Sequence, residues 1–577
     1  MKNKKIFFPL VCIFCVIGVI GGIFYLKSNQ ATSLNEISNN TTDSIDMNID
    51  TDDGDEKIDW SNYQDSEYEL TKSITITDEG VYNLTGTIKD GRIKVNTEGN
   101  VKLVLNNVNI TNSKGPAIYI ENASDVIIEL TEDSSNHLED GSNYSGYEND
   151  VIGTIFSRDD ITFQGSGILE VVSNNEDAIV SKDDLKIVDG TYIITSKDDG
   201  IRGKDSVYIQ NGTFTINSTG DGIKSTNDTD AEKGYILIEN GAFKINSTLE
   251  GIDSENKLLI KNGTFDITTG GGSANSSSSN NWGRWGNNTS KNSESAKGIK
   301  SADNLVIENG MFNFNTSDDA IHCNNYVGIK LGTINITSGD DGIHADTELI
   351  IDNGNINITK SYEGLESAKM TINGGEINIG ASDDGINIAG GNDSSAIGRP
   401  GSNTYSSNTD NVLTINGGSI YVNASGDGID VNGSAYITGG NIKVDGPTNS
   451  GNGSLDYDRT FEISGGTLLA GGSSGMLQSC SSSSSIYNIT ITFNSNYSSG
   501  DVITIVDSSN NEIISYESNK SYSSLIVASP KLQKGNTYTV KVNGETYKSF
   551  TISSITTTIG NNNGMGGNPS GFGGHRR

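Results

Sequence analysis

The chain is short of three things, and each shortage excludes a class. Basic residues are scarce: 39 Lys and Arg stand against 73 Asp and Glu, a net charge of −34. This excludes nucleic acid as a partner, because phosphates need a basic surface. The acidic surplus favours solubility and cationic ligands. Cysteine is scarce too. Cys12 and Cys15 lie in an apolar N-terminal run, and Cys323 and Cys480 stand far apart. That gives neither a disulfide framework nor a zinc signature. Apolar residues make up only 33%, low for a packed helical protein. The long runs of Asn, Ser and Thr are poor helix interiors. Ile, Val, Phe and Tyr nevertheless recur at regular spacing, which excludes ordinary disorder. With 70 Gly in 577 residues, an all-β repeat protein with Gly- and Asn-rich turns is what remains.

Long apolar runs are absent except at the start. Residues 6–26 carry no charge and are flanked by Lys2, Lys4, Lys5 and Lys27. That length can cross a bilayer. With the lysines on the cytoplasmic side, residues 1–27 read as a membrane anchor; the alternative is a cleaved signal. Either one puts the rest of the chain outside the cell, at its surface. Residues 28–57 read as a polar, disordered linker.

The repeat settles the architecture. An acidic residue, then Gly or Ala, then Ile or Leu recurs along the chain, as in Asp199-Gly200-Ile201, Asp221-Gly222-Ile223 and Asp341-Gly342-Ile343. The basic period is 22, with Lys297-Gly298-Ile299 standing in one acidic slot. Each unit adds a β-rich triplet such as Val207-Tyr208-Ile209, then a Gly turn and an alternating strand such as residues 211–218. Three short strands per unit can stack only on their equivalents in the next unit, which makes a single-stranded parallel β-helix. If the motif Ile points in, the next residue points out. That outward column reads Val180, Arg202, Lys224, Asp253, Lys300, His322, His344, Glu366, Asn387 and Asp430. The predicted helix covers 58–484, with insertions near 226–232, 270–295 and 391–411. A small C-terminal β cap over 485–559 would close its open end, and 560–577 form a Gly-rich tail. About 15 coils at about 4.8 Å each would stack to about 70 Å.

The candidate chemistry follows from that stacking. Motif acids in one column would lie about 5 Å apart and repel. A hard, oxygen-seeking cation such as Ca²⁺ would relieve them. The candidate ligands are Asp177, Asp198, Asp199, Asp221, Glu250, Asp318, Asp319, Asp340, Asp341, Glu363, Asp383, Asp384 and Asp427. An alternative is that Asp-Gly simply makes a turn. Arg202, Lys224, Lys300, His322 and His344 would form a basic strip able to hold sugar carboxylates. Trp282 and Trp285, in the 270–295 insertion, could stack on sugar rings.

The Asp-Asp-Gly-Ile turns, the Asn-Gly strands and the segment from Ile463 to Met476 resemble a bacterial family of extracellular carbohydrate-binding β-helix proteins, similar in fold to pectate lyases. The resemblance spans roughly residues 58–555. It implies a right-handed helix that binds Ca²⁺ and plant cell-wall polysaccharides such as cellulose or acidic pectin. It does not imply catalysis. Three functions stay open: a non-catalytic binder; a Ca²⁺-dependent lyase with Arg202, Lys224 or Lys300 as base, or a hydrolase with acids at Asp318 and Asp340; and a surface stalk that binds a protein. Repetition favours the binder, because a catalytic site is unique and these acids recur. No catalytic residue is assigned.

Overall fold

In the computed structural model the described residues are Met47, Ile49, 58–276, 295–389 and 411–560. The chain divides into Met1–Ser44 and Ile45–Arg577, and only the second unit holds described residues. The expected N-terminal anchor, the tail, Trp282 and Trp285 all lie outside them.

The described residues contain no α-helix, only strands and two short 3-10 turns. Almost all the strands join one parallel sheet that winds as a coil, each strand pairing with its equivalent one turn on. The motif face shows the register. Ile74 pairs with Ile93, Ile93 with Ile118, Ile118 with Ile155 and Ile155 with Ile179. The ladder continues through Ile201, Ile223, Ile252, Ile299, Ile321, Ile343, Leu365 and Ile386 to Ile429. All but the first are fully buried. A parallel β-helix with three short strands per coil is what the 22-residue period requires, because in-register pairing brings identical side chains together.

On the long-strand face the same rule builds an aromatic stack. Tyr192, Phe214, Phe243, Phe265 and Phe312 follow one another at 4.6–5.0 Å between ring centroids, within 8° of parallel. The turn before each strand must be tight. Gly263 has φ +138°, and a Cβ there would meet the Phe265 ring at 2.9 Å. The motif glycine has a separate reason: a Cβ on Gly251 would sit 2.5 Å from the Gly298 carbonyl of the next coil.

Two features were not legible in the sequence. The insertion at 141–152 folds back so that Tyr144 and Tyr147 cover Tyr119, Phe156 and Val180. Val180 does point outward, and is buried all the same. On the triplet face an outward stripe of Tyr208, Leu237, Leu259, Val306 and Ile350 is also buried, and Met47 and Ile49 pack on it. At these two positions the expected polar linker therefore lies on the helix as half-buried apolar side chains.

The open end is closed as expected. Strand Thr467–Gly472 of the last coil pairs antiparallel with Tyr522–Ala528, which pairs with Asn488–Tyr497. A four-stranded antiparallel sheet completes a second core around Ile491, Tyr516 and Val540.

Two outcomes test this packing. Phe265→Ala removes one ring from a fully buried stack and is expected to cost roughly 3–5 kcal/mol, read by chemical denaturation. Replacing Met47 and Ile49 together with Ser is expected to uncover the stripe and raise binding of a hydrophobic dye, with the β signature in circular dichroism unchanged.

Candidate functional site

The motif acids use their two oxygens differently. One oxygen accepts a backbone N–H from the next coil. Asp199 N–H donates to Asp177 Oδ1 (2.9 Å), Asp221 N–H to Asp199 Oδ1 (2.9 Å) and Glu250 N–H to Asp221 Oδ1 (2.8 Å). The same bond links Asp341 to Asp319 (3.0 Å), Glu363 to Asp341 (3.0 Å), Asp427 to Asp384 and Gly453 to Asp427. A carboxylate at this place thus fastens one coil to the next. The local turn explained only part of its role.

In the first part of the helix the other oxygen meets the outward column. Arg202 reaches Asp177 (3.4 Å) and Asp199 (3.6 Å). Lys224 pairs with Asp221 and Asp253, and Lys300 with Glu250 and Asp253. His322 Nδ1 lies 2.9 Å from Asp319 Oδ2. The structure does place Arg202, Lys224, Lys300, His322 and His344 in one file. The charges of Arg202, Lys224 and Lys300, however, face the acids, so the file is a ladder of paired groups rather than a bare basic strip. Burial opposes the charge on Lys224 and Lys300, but their acidic neighbours outweigh it and raise both pKa values.

Lys297 completes this half. It occupies the acidic slot of its coil, is buried, and donates to Asp319 Oδ2 (2.6 Å) and Asp318 Oδ1 (3.1 Å). Burial alone would raise the Asp319 pKa; Lys297, then His322, hold it well below the usual carboxylate range. The doubled acids stay near the motif. Oxygens of Asp318, Asp319 and Asp340 lie within 4.8 Å of one another, as do those of Asp177, Asp198 and Asp199.

Beyond Glu363 the ladder changes. The outward column reads Glu366, Asn387, Asp430 and Asp456. Among the described residues, no Lys or Arg pairs with Glu363, Asp384, Asp427, Asp430 or Asp456. Burial and then like charges push their pKa values upward. Asp384 rises to about 8, with Asp383 and Asp430 adding to burial, and Asp430 to about 8, with Asp427 and Asp456 adding. Asp427 rises to about 6 and Glu363 rises well above its ordinary value, both chiefly through burial. Asn387 is only 4% exposed. Its amide donates to Glu363 Oε2 (2.6 Å), while its carbonyl oxygen is buried with no hydrogen-bond partner. Carboxylates and an amide oxygen are donor types that a hard cation takes. Asn387 and Asp430 already stood in the outward column read from the sequence, and Asp456 joined them only once the register was known.

The pH dependence follows. Asp384 and Asp430 keep a proton in the folded chain up to about pH 8, whereas the ordinary aspartate value is 3.8. The folded state therefore binds more protons across that window, and stability falls as pH rises through it. In chelator, the melting temperature is expected to decline from near pH 4 to about pH 8. Asp384→Asn with Asp430→Asn is expected to flatten that decline.

A carbohydrate-binding domain-containing protein of Acetivibrio thermocellus is 40% identical over 128 residues, 21% of this chain and 45% of that relative. The chain thus spans under half of the relative's length. A solved structure described as the polysaccharide lyase-like protein from C. thermocellum, a gadolinium derivative, aligns at 28% identity over 48% of this chain and 87% of that one, with a TM-score of 0.32. The model of one family matches residues 71–342 and 340–385, more than half of the sequence. By that match the chain belongs to the carbohydrate-binding domain-containing protein family.

Proposed function

We propose that this protein is an extracellular, calcium-stabilised polysaccharide-binding protein without catalysis. It would be displayed at the cell surface by residues 1–27 and would take cellulose or acidic, pectin-like glycans. The observation that carries this reading is the carbohydrate-binding family match over residues 71–342 and 340–385, on a fold whose faces repeat in every coil. A reacting centre needs a constellation found once. A surface whose chemistry returns every coil suits a polymer whose chemistry returns every few sugars.

The state of the catalytic candidates supports the same reading. A lyase base must be free to take a proton, but Lys224 and Lys300 are ion-paired with raised pKa values. A hydrolase would use Asp318 and Asp340, whose oxygens lie within 4.8 Å of one another. Both carboxyl groups would have to stay free to exchange protons. Asp318, however, is held by Lys297.

Calcium fits the part of the ladder that has no basic partner among the described residues. Glu363, Asp384 and Asp427 from the motif column, with Asp430 and the Asn387 carbonyl oxygen beside them, would supply ligands to one or more ions along these coils. When bound, the ion would supply positive charge that keeps these carboxylates ionised and that can also meet a sugar carboxylate. The chain's own residues hold the coils in register and present the outer faces to a glycan.

The test passes full-length protein over insoluble cellulose and immobilised polygalacturonate, with Ca²⁺ or with chelator, and assays soluble polygalacturonate for unsaturated products. Calcium-dependent retention on one polymer without product is the expected result. Product formation would replace this reading with a lyase. Absence of both would leave a stalk for a protein partner.

A further inference from the structure

The three outward faces of the coil are not alike. On the motif face Arg202, Lys224 and Lys300 are paired with acids. On the triplet face Met47 and Ile49 lie over the apolar stripe. The long-strand face carries a file of amides instead. Its middle outward column runs through Asn313, Asn335, Asn357 and Asn378 to Tyr421 and Lys443, each beside its equivalent in the next coil. Asn313 is exposed, and the next three are half-buried. Amides about 4.8 Å apart both donate and accept hydrogen bonds, as sugar hydroxyls do. The column beside them reads Met311, Thr333, Asn355, Glu376 and Ser419, of which only Glu376 is charged. The third column is partly taken, because Asn315 accepts the Ser273 N–H and Lys360 donates to the Ser273 carbonyl.

The file leads into a groove of about 410 Å³, where the closing domain meets the last coils. Its walls include Tyr421, Asn441, Lys443, Thr467, Leu469 and Asn519. Asp445, fully buried, braces them. It accepts the Tyr421 hydroxyl (2.8 Å), the Tyr516 hydroxyl (3.0 Å) and the Asn519 backbone N–H (3.0 Å). The Asn519 side-chain amide donates to the Tyr421 hydroxyl at 2.7 Å. Lys443 Nζ lies 3.7 Å from Asp445 Oδ2 and 5.0 Å from the centre of the Tyr421 ring. The Tyr421 hydroxyl is thus engaged within the protein, and its half-buried ring and Leu469 give the groove apolar surface beside Asn441 and Thr467. A sugar has apolar C–H faces and a polar rim, and this mixed lining matches both. Walls braced before the ligand arrives lower the cost of ordering them.

We propose that the long-strand face, from Asn313 to the groove at Tyr421 and Asn519, is the surface that holds the glycan, and that the glycan it takes is uncharged. A polyanion would meet Glu376 on a chain of net charge −34, and Lys443 already faces Asp445. The inference rests on the polysaccharide-binding reading and adds to it the face and the charge class of the sugar.

The test measures retention of full-length protein, in excess Ca²⁺, on insoluble cellulose and on immobilised polygalacturonate. Tyr421→Ala is expected to weaken binding to cellulose by more than roughly tenfold. Asn335→Ala with Asn357→Ala is expected to weaken it by about fivefold. Tyr436 is 40% exposed on the triplet face, and Tyr436→Ala is expected to bind as the wild type does. If Tyr421→Ala loses its β signature in circular dichroism, the Asn335 and Asn357 pair, which leaves the Asp445 contacts in place, decides. Wild-type retention that neither long-strand variant reduces, or that Tyr436→Ala abolishes, would overturn this inference and leave the polysaccharide-binding reading standing. Retention on polygalacturonate alone would do the same. No retention on either polymer would overturn both.

Discussion

In-register stacking sets the terms for the rest of the structure. A parallel coil places each residue on its own equivalent, about 4.8 Å away. For Ile and Phe that is favourable, and the buried Ile ladder and the ring stack from Tyr192 to Phe312 follow from it. For Asp the same rule is costly, because it lines up like charges in a partly dehydrated column. The chain answers this conflict in two ways. Up to Glu250 and again from Lys297 to His344 it interleaves Arg, Lys and His with the acids. Beyond Glu363 it supplies no cation of its own among the described residues.

The acids remain in the column because they bridge coils. A backbone N–H at each turn would otherwise face inward without an acceptor. The preceding coil's carboxylate supplies one, as Asp199 does for Asp221 and Asp341 does for Glu363. The electrostatic load is therefore a by-product of a structural bond. The second oxygen meets a side-chain cation in one stretch and, among the described residues, has none in the other.

Much of this was legible before the structure. The 22-residue period, the inward Ile and the outward column were all readable, because strand alternation and coil repetition leave periodic marks. Contacts between distant segments leave none. That Met47 and Ile49 lie on the stripe at Tyr208 and Leu237, or that Tyr147 covers Phe156, depends on chain paths with no period. The basic file was readable as a row of residues but not as paired charges, since pairing depends on which oxygen points outward. Lys297 was visible as an exception to the motif, but its effect on Asp319 was not.

The antiparallel strand against Thr467–Gly472 has a consequence for how such a chain changes length. Every interior coil offers its successor the same parallel edge, so a unit inserted between two coils meets matching surfaces on both sides. The final coil offers no such edge, since Tyr522–Ala528 runs against it in the opposite direction. Growth or shrinkage at that end would mean rebuilding the closing domain. Lineages of this fold should therefore vary in length by duplication or loss within the stack, with the terminating domain carried along unchanged.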